Sequence, residues 1–100
     1  MRLEYKDVLH IGYYDYGEAF TGSLGLLRYR IAIEPEKSRR KMTEEERQNC
    51  RLRLFTWQGE KAFDRTEKEL IQIQDYDYSE EGLRRIVDDI NEKLNLSKNA

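Results

Sequence analysis

Apolar residues in this 100-residue chain fall into blocks whose spacing changes along the sequence, and each spacing predicts a different element. The clearest block sets Leu27, Tyr29, Ile31 and Ile33 against Arg28, Arg30, Ala32 and Glu34. This period of two gives one apolar and one charged face and predicts a half-buried strand. Pro35, the only proline, has no N–H for a ladder and marks the strand's end. Arg51 to Gln58 repeats the pattern, with Leu52, Leu54 and Thr56 on one face and Arg51, Arg53, Phe55 and Trp57 on the other. Glu69 to Asp75 predicts a weaker strand around Leu70, Ile71 and Ile73, at the edge of the sheet. Tyr5 to Tyr16 is rich in Val, Ile and Tyr and predicts a first strand, with Leu9, Ile11 and Tyr13 opposite His10, Gly12 and Tyr14. Gly17 to Gly25 carries three glycines with Thr21 and Ser23 and predicts a turn or wide hairpin loop.

The period becomes helical near the C-terminus. Leu83, Ile86, Val87, Ile90 and Leu94 form one amphipathic stripe, preceded by Ser79 as N-cap and by Glu80 and Glu81 where the helix dipole favours negative charge. That stripe requires an apolar partner, and the sheet face bearing Leu27, Tyr29, Ile31, Ile33, Leu52 and Leu54 supplies it. The expected fold is a two-layer α+β domain over residues 1–96: a mostly antiparallel sheet of about four strands with one C-terminal helix packed on one face. Residues 97–100 are expected to fray. Between the strands, Thr43 and Glu46 have capping-box spacing and predict a short helical turn to Cys50 within a mobile, charged loop. Gly59 to Lys68 is a polar connection anchored by Phe63.

A charged fraction of 38% and a mean hydropathy of -0.94 would suggest disorder if charge were one-sided. Eighteen basic and twenty acidic residues nearly cancel, so these numbers describe a folded domain with a very soluble surface. The net charge of -2 provides no global attraction to nucleic acid or anionic lipid. A single cysteine, Cys50, and the absence of a signal-like N-terminal run point to the cytoplasm. No apolar stretch approaches the roughly 20 residues of a membrane span.

The inventory for catalysis is thin. His10 and Cys50 would give a thiol beside a base only if the first and third predicted strands pair. No His or Cys cluster has zinc spacing and no acidic loop has calcium spacing, so no metal is expected. Gly22-Ser23-Leu24-Gly25 lacks the lysine and the strand-to-helix setting of a phosphate loop. Two constellations remain. The pentapeptides Tyr14-Asp15-Tyr16-Gly17-Glu18 and Tyr76-Asp77-Tyr78-Ser79-Glu80 share a pattern and hold four of the seven tyrosines. They would form one acidic, tyrosine-rich patch if both corners lie at the same end of the sheet. Asp15, Glu18, Asp77 and Glu80 would supply an acid and base pair only if they met in space. The second constellation is Arg28, Arg30, Arg51 and Arg53 with Phe55 and Trp57, a cationic sheet face carrying rings. Such a face stacks bases in several RNA-binding folds, covers a second copy in a homodimer, or is simply a solvated surface.

The runs Gly12-Tyr13-Tyr14-Asp15-Tyr16-Gly17-Glu18, Phe20-Thr21-Gly22-Ser23 and Arg28-Tyr29-Arg30-Ile31-Ala32 resemble a group of small uncharacterised bacterial proteins. Those proteins are often labelled acetyltransferases of the GNAT family. The resemblance extends loosely through Trp57 to Ser79-Glu80-Glu81-Gly82-Leu83 and departs where Leu26-Leu27 precede the Arg-Tyr-Arg run. The label implies a coenzyme A pyrophosphate loop of the form Gln/Arg-x-x-Gly-x-Gly/Ala at a helix start. No such run occurs in the chain, and neither an activity nor a site residue follows from the label.

The residues therefore favour a non-catalytic module that binds another macromolecule, a protein partner or a second copy of itself, with no cofactor. Acetyltransferase-like or coenzyme A-binding chemistry is the alternative. Binding of RNA or single-stranded DNA on the arginine face and inhibition of a host complex by a mobile-element protein are further alternatives.

Overall fold

The computed structural model describes residues 2–98, with side chains through residue 96. Its centre is a four-stranded antiparallel meander in the order β1-β2-β3-β4: β1 Phe20–Leu24, β2 Leu27–Glu34, β3 Arg51–Gln58 and β4 Gln72–Asp77. A nineteen-residue helix, α3, spans Glu80–Lys98 and covers one face. The architecture is a two-layer α+β fold. The helix runs on through Lys98, and the last two residues of the expected frayed tail lie outside the described residues.

The apolar alternation places the core as expected. Ile31, Leu52 and Leu54 are buried against Leu83, Ile86, Val87, Ile90 and Leu94 of α3, with Leu27 and Tyr29 completing the layer. Burying a side chain of this size contributes roughly 1.5–3 kcal/mol. Ile33 instead joins Met42 and Cys50 in a satellite cluster at the sheet end. Those last two side chains flank α2, Glu44–Asn49, whose N-terminus carries the expected capping box between Thr43 and Glu46. Lys37 and the Thr43 backbone N–H both bond the Glu46 carboxylate and hold its pKa below the usual range.

The first predicted strand is incorrect. Tyr5–Val8 is a 3-10 turn and Ile11–Tyr14 is a single helical turn, α1. Local hydrogen bonding overrides the β propensity of Val, Ile and Tyr: Asp7 caps the Glu4 N–H at 2.9 Å, and His10 Nδ1 accepts from Gly12 N–H at 3.2 Å. Between the two turns Leu9 sits at φ +68°, which breaks any extended run. The segment is fixed across the molecule by Asn91 of α3. Its amide accepts from the Leu3 N–H at 2.8 Å and donates to the Leu3 carbonyl at 2.9 Å, as a neighbouring strand would.

The glycine-rich segment is likewise more ordered than a loop. Gly17 at φ +83° closes the turn that follows α1, and Gly25 at φ +64° occupies the first of two residues between the paired Leu24 and Leu27. That position requires a positive φ in a tight hairpin of the II′ kind. Between these glycines lies β1, where Gly22 leaves space for the Tyr29 ring to pass across the strand. The fourth strand begins three residues later than predicted, because Tyr76 rather than Leu70 is its core anchor. Tyr76 is 8% exposed and Leu70, in a 3-10 turn, is 61% exposed. As expected, β4 is an edge strand.

Candidate functional site

The register brings the arginine face together as predicted, since Arg28 pairs with Trp57 and Arg30 with Phe55 on the side of the sheet away from α3. The rings, however, are not exposed. Phe55 and Trp57 are only 7% and 4% exposed, because the β3–β4 connection folds back and places Phe63 against both, at ring separations of 4.9 and 5.6 Å. Arg30 lies between Phe55 and Phe63 at 5.1 and 4.7 Å and forms a bidentate pair with Glu36. Arg28 donates to the Gly59 carbonyl at 2.9 Å. Arg53 forks onto Asp75 at 2.7 and 3.1 Å, with Glu34 at 3.4 Å. The Arg53 bond holds the Asp75 carboxyl below its usual range and raises the guanidinium in turn. Arg51 alone stays largely open, 3.9 Å from Asp77. The cationic platform with exposed rings is therefore a closed second core with paired charges.

The two tyrosine pentapeptides do meet, but as a joint. Tyr78 from the second copy donates its hydroxyl to Asp15 of the first, and Arg39 stacks on the Tyr78 ring at 5.0 Å while reaching Asp15 at 3.8 Å. Burial, followed by the hydrogen bond and charge of Asp15, pushes the Tyr78 phenol well above its ordinary pKa. Tyr14 is fully buried and donates to the Val8 carbonyl at 2.5 Å. Asp77 faces Arg51, Glu80 lies 3.4 Å from His10, and Tyr16 and Glu18 are exposed. Asp15, Asp77 and Glu80 thus each have a different partner, and none of these partners is another of the four carboxylates.

His10 and Cys50 occupy separate settings. The predicted pairing that would have joined them does not exist, because β3 is flanked by β2 and β4. His10 caps α1, whereas the buried Cys50 thiol donates to the Arg47 carbonyl at 3.3 Å. Among the described residues no helix is long and apolar enough to cross a membrane.

The open feature is the seam between β4 and α3. As residue number falls along β4 it rises along α3, so the two elements run antiparallel and are joined by two side-chain rungs. Tyr76 donates to Asp89 at 2.5 Å, and Lys93 donates to Gln72 at 2.6 Å. Among the described residues no strand pairs with the outer side of β4. In an antiparallel ladder every second residue there turns its N–H and C=O outward. A groove of about 430 Å³ wraps this edge and touches side chains from both sheet faces. Five carboxylates line it against the two guanidiniums Arg51 and Arg85. A second, apolar hollow of about 580 Å³ lies at the Gln72 end, bounded by Leu70 and Leu96, which are 61% and 64% exposed.

Sequence reasoning missed Glu81, Arg85, Asp88 and Asp89. Their signal is a second stripe at i, i+4, i+7 and i+8, offset from the apolar one. It becomes meaningful only once the strand beside it is known to be an edge. Comparison with family models, with curated proteins and with solved structures finds no match to the chain.

Proposed function

We propose that this protein is a non-catalytic binding module that takes a protein partner along the free edge of β4, by addition of a strand. The observation that carries the reading is the bare strand edge beside an open groove. Unpaired backbone groups are a ready template for an extended segment, and side chains flanking them provide selectivity. Natural folds often blunt such edges with proline, bulges or a covering loop. Here β4 has no proline, and the groove reaches the strand from both sides.

Two other readings weigh less. Stacking of nucleic-acid bases requires accessible rings, and Phe55 and Trp57 are covered. Binding of a coenzyme A pyrophosphate favours a helix N-terminus free of negative charge, yet α3 opens with Glu80 and Glu81. Selection from a random octapeptide library is expected to enrich extended sequences that protect the amides of residues 72–77 from hydrogen exchange. Enriched peptides that protect another surface would overturn the proposal. So would a melting temperature raised by acetyl coenzyme A together with turnover of it.

A further inference from the structure

Resting on the β4-edge reading, we infer that the partner segment is basic: an extended stretch that lies antiparallel to β4, turns lysine or arginine toward α3 at every second residue, and ends in apolar side chains. A strand added to β4 alternates its side chains between the two sheet faces. On the face away from α3, Asp75 is held by Arg53 and Asp77 has Arg51 at 3.9 Å, so each carboxylate there has a cation beside it. On the α3 side, Glu81, Asp88 and Asp89 line the groove against Arg85 alone. Asp89 accepts from Tyr76, while Glu81 and Asp88 have no hydrogen bond or ion pair among the described residues. The field that an added strand meets is therefore acidic on one side, and cations at alternate positions complement it.

The same field argues against a second copy of this chain as occupant. Pairing β4 with β4 across a twofold axis would bring two acidic grooves together, and like charges across an interface are costly. An antiparallel partner continues the pairing of the sheet, and the far end sets the order of its side chains. Leu70 and Leu96 border the apolar hollow at the Gln72 end, which an antiparallel partner reaches after its basic residues. Six residues of β4 span about 20 Å, so a segment of six to eight residues covers both the acidic groove and the hollow.

The test uses the full chain and three synthetic octapeptides: three Lys-Val repeats followed by Leu-Leu, the same sequence with Glu for Lys, and the basic sequence reversed. Affinity is read by fluorescence anisotropy and the contact surface by amide chemical shifts. The inference expects the basic peptide to perturb residues 72–77 and to bind at least about tenfold more tightly than the other two, since like-charge juxtaposition is penalised. Raising salt should weaken it several-fold through screening. Glu81→Gln combined with Asp88→Asn, with the fold checked by circular dichroism, should weaken it by on the order of tenfold. If the Glu peptide binds equally well at residues 72–77, or if the double variant keeps full affinity, the basic partner is wrong and the edge reading stands. If no peptide of either charge perturbs β4, both fall. A concentration-dependent dimer that protects the β4 amides would assign the edge to a second copy and overturn the inference.

Discussion

Arg30 shows how a residue that reads as a nucleic-acid contact can be a fixture of the fold. Its side chain is 15% exposed, clamped between two rings and forked onto Glu36. A partly desolvated cation over aromatic faces and a bidentate carboxylate pair together are worth about 1–3 kcal/mol. Arg30→Ala should therefore lower the melting temperature measured by calorimetry. Arg30→Lys should recover little of the loss, because an ammonium cannot reproduce the planar fork. An unchanged melting temperature in Arg30→Ala would mean that the clamp contributes nothing. Gly82 poses the opposite question. Glycine inside a helix normally costs about 1 kcal/mol relative to alanine, so Gly82→Ala should stabilise on propensity alone. The β-carbon, however, would be driven into the Asp77 carbonyl where the chain turns from β4 into α3. A backbone atom cannot step aside as a side chain does, and overpacking costs about 1–3 kcal/mol or more. Gly82→Ala should be net destabilising in urea denaturation, and a stabilised variant would show that the joint is looser than this geometry.

At the scale of elements, the least obvious contribution comes from an irregular one. The connection from Gly59 to Ile71 holds two 3-10 turns, and its Phe63 covers the sheet face that the alternating sequence leaves apparently open. Phe63→Ala removes that cover from Trp57, the only tryptophan. Emission from Trp57 should shift to the red, with a loss of about 2 kcal/mol, below the full buried Phe→Ala range because Phe63 is itself half-exposed. An unshifted spectrum would place Trp57 in water already or leave it buried by other groups. The same element explains how legible the fold was. Strands β2 and β3 and the helix α3 follow from side-chain period alone, because each carries one continuous apolar face. The N-terminal turns do not, since capping by Asp7 and His10 competes with β propensity over a window too short for period to decide. Ring burial by Phe63 was equally illegible: a single apolar residue in a polar connection names an anchor but not what it covers. The seam was half legible. The edge position of β4 could be read, whereas the acidic stripe of α3 carries meaning only through its antiparallel alignment with that edge.

On the scale of the molecule, tyrosine tips fasten the irregular N-terminus and the helix to the sheet. Tyr78 reaches Asp15 across 63 positions of sequence, Tyr76 ties β4 to α3, and Tyr14 closes the turn that carries it. Burial pushes all three phenols, and that of Tyr29, above their ordinary value near 10; Asp89 adds to the shift at Tyr76 and Asp15 to that at Tyr78. In the unfolded chain these groups ionise near pH 10. Above that pH the folded state binds more protons than the unfolded state, so stability falls as pH rises. The contribution is fully present below about pH 10 and is lost as pH climbs toward the folded pKa values. Each tyrosine that stays protonated only when folded contributes a slope of about 1.4 kcal/mol per pH unit. With several acting together, unfolding in a urea series should become steeply easier between about pH 10 and 12, and the phenolate absorbance of these four tyrosines should appear together with loss of helix signal. Tyr78→Phe separates the hydrogen bond from the titration. It should lose stability at neutral pH, where the bond to Asp15 is intact in the parent, yet show a shallower decline above pH 10. Ionisation of more than three of the seven tyrosines well before helix loss would mean that these hydroxyls are open to water and do not hold the layers together.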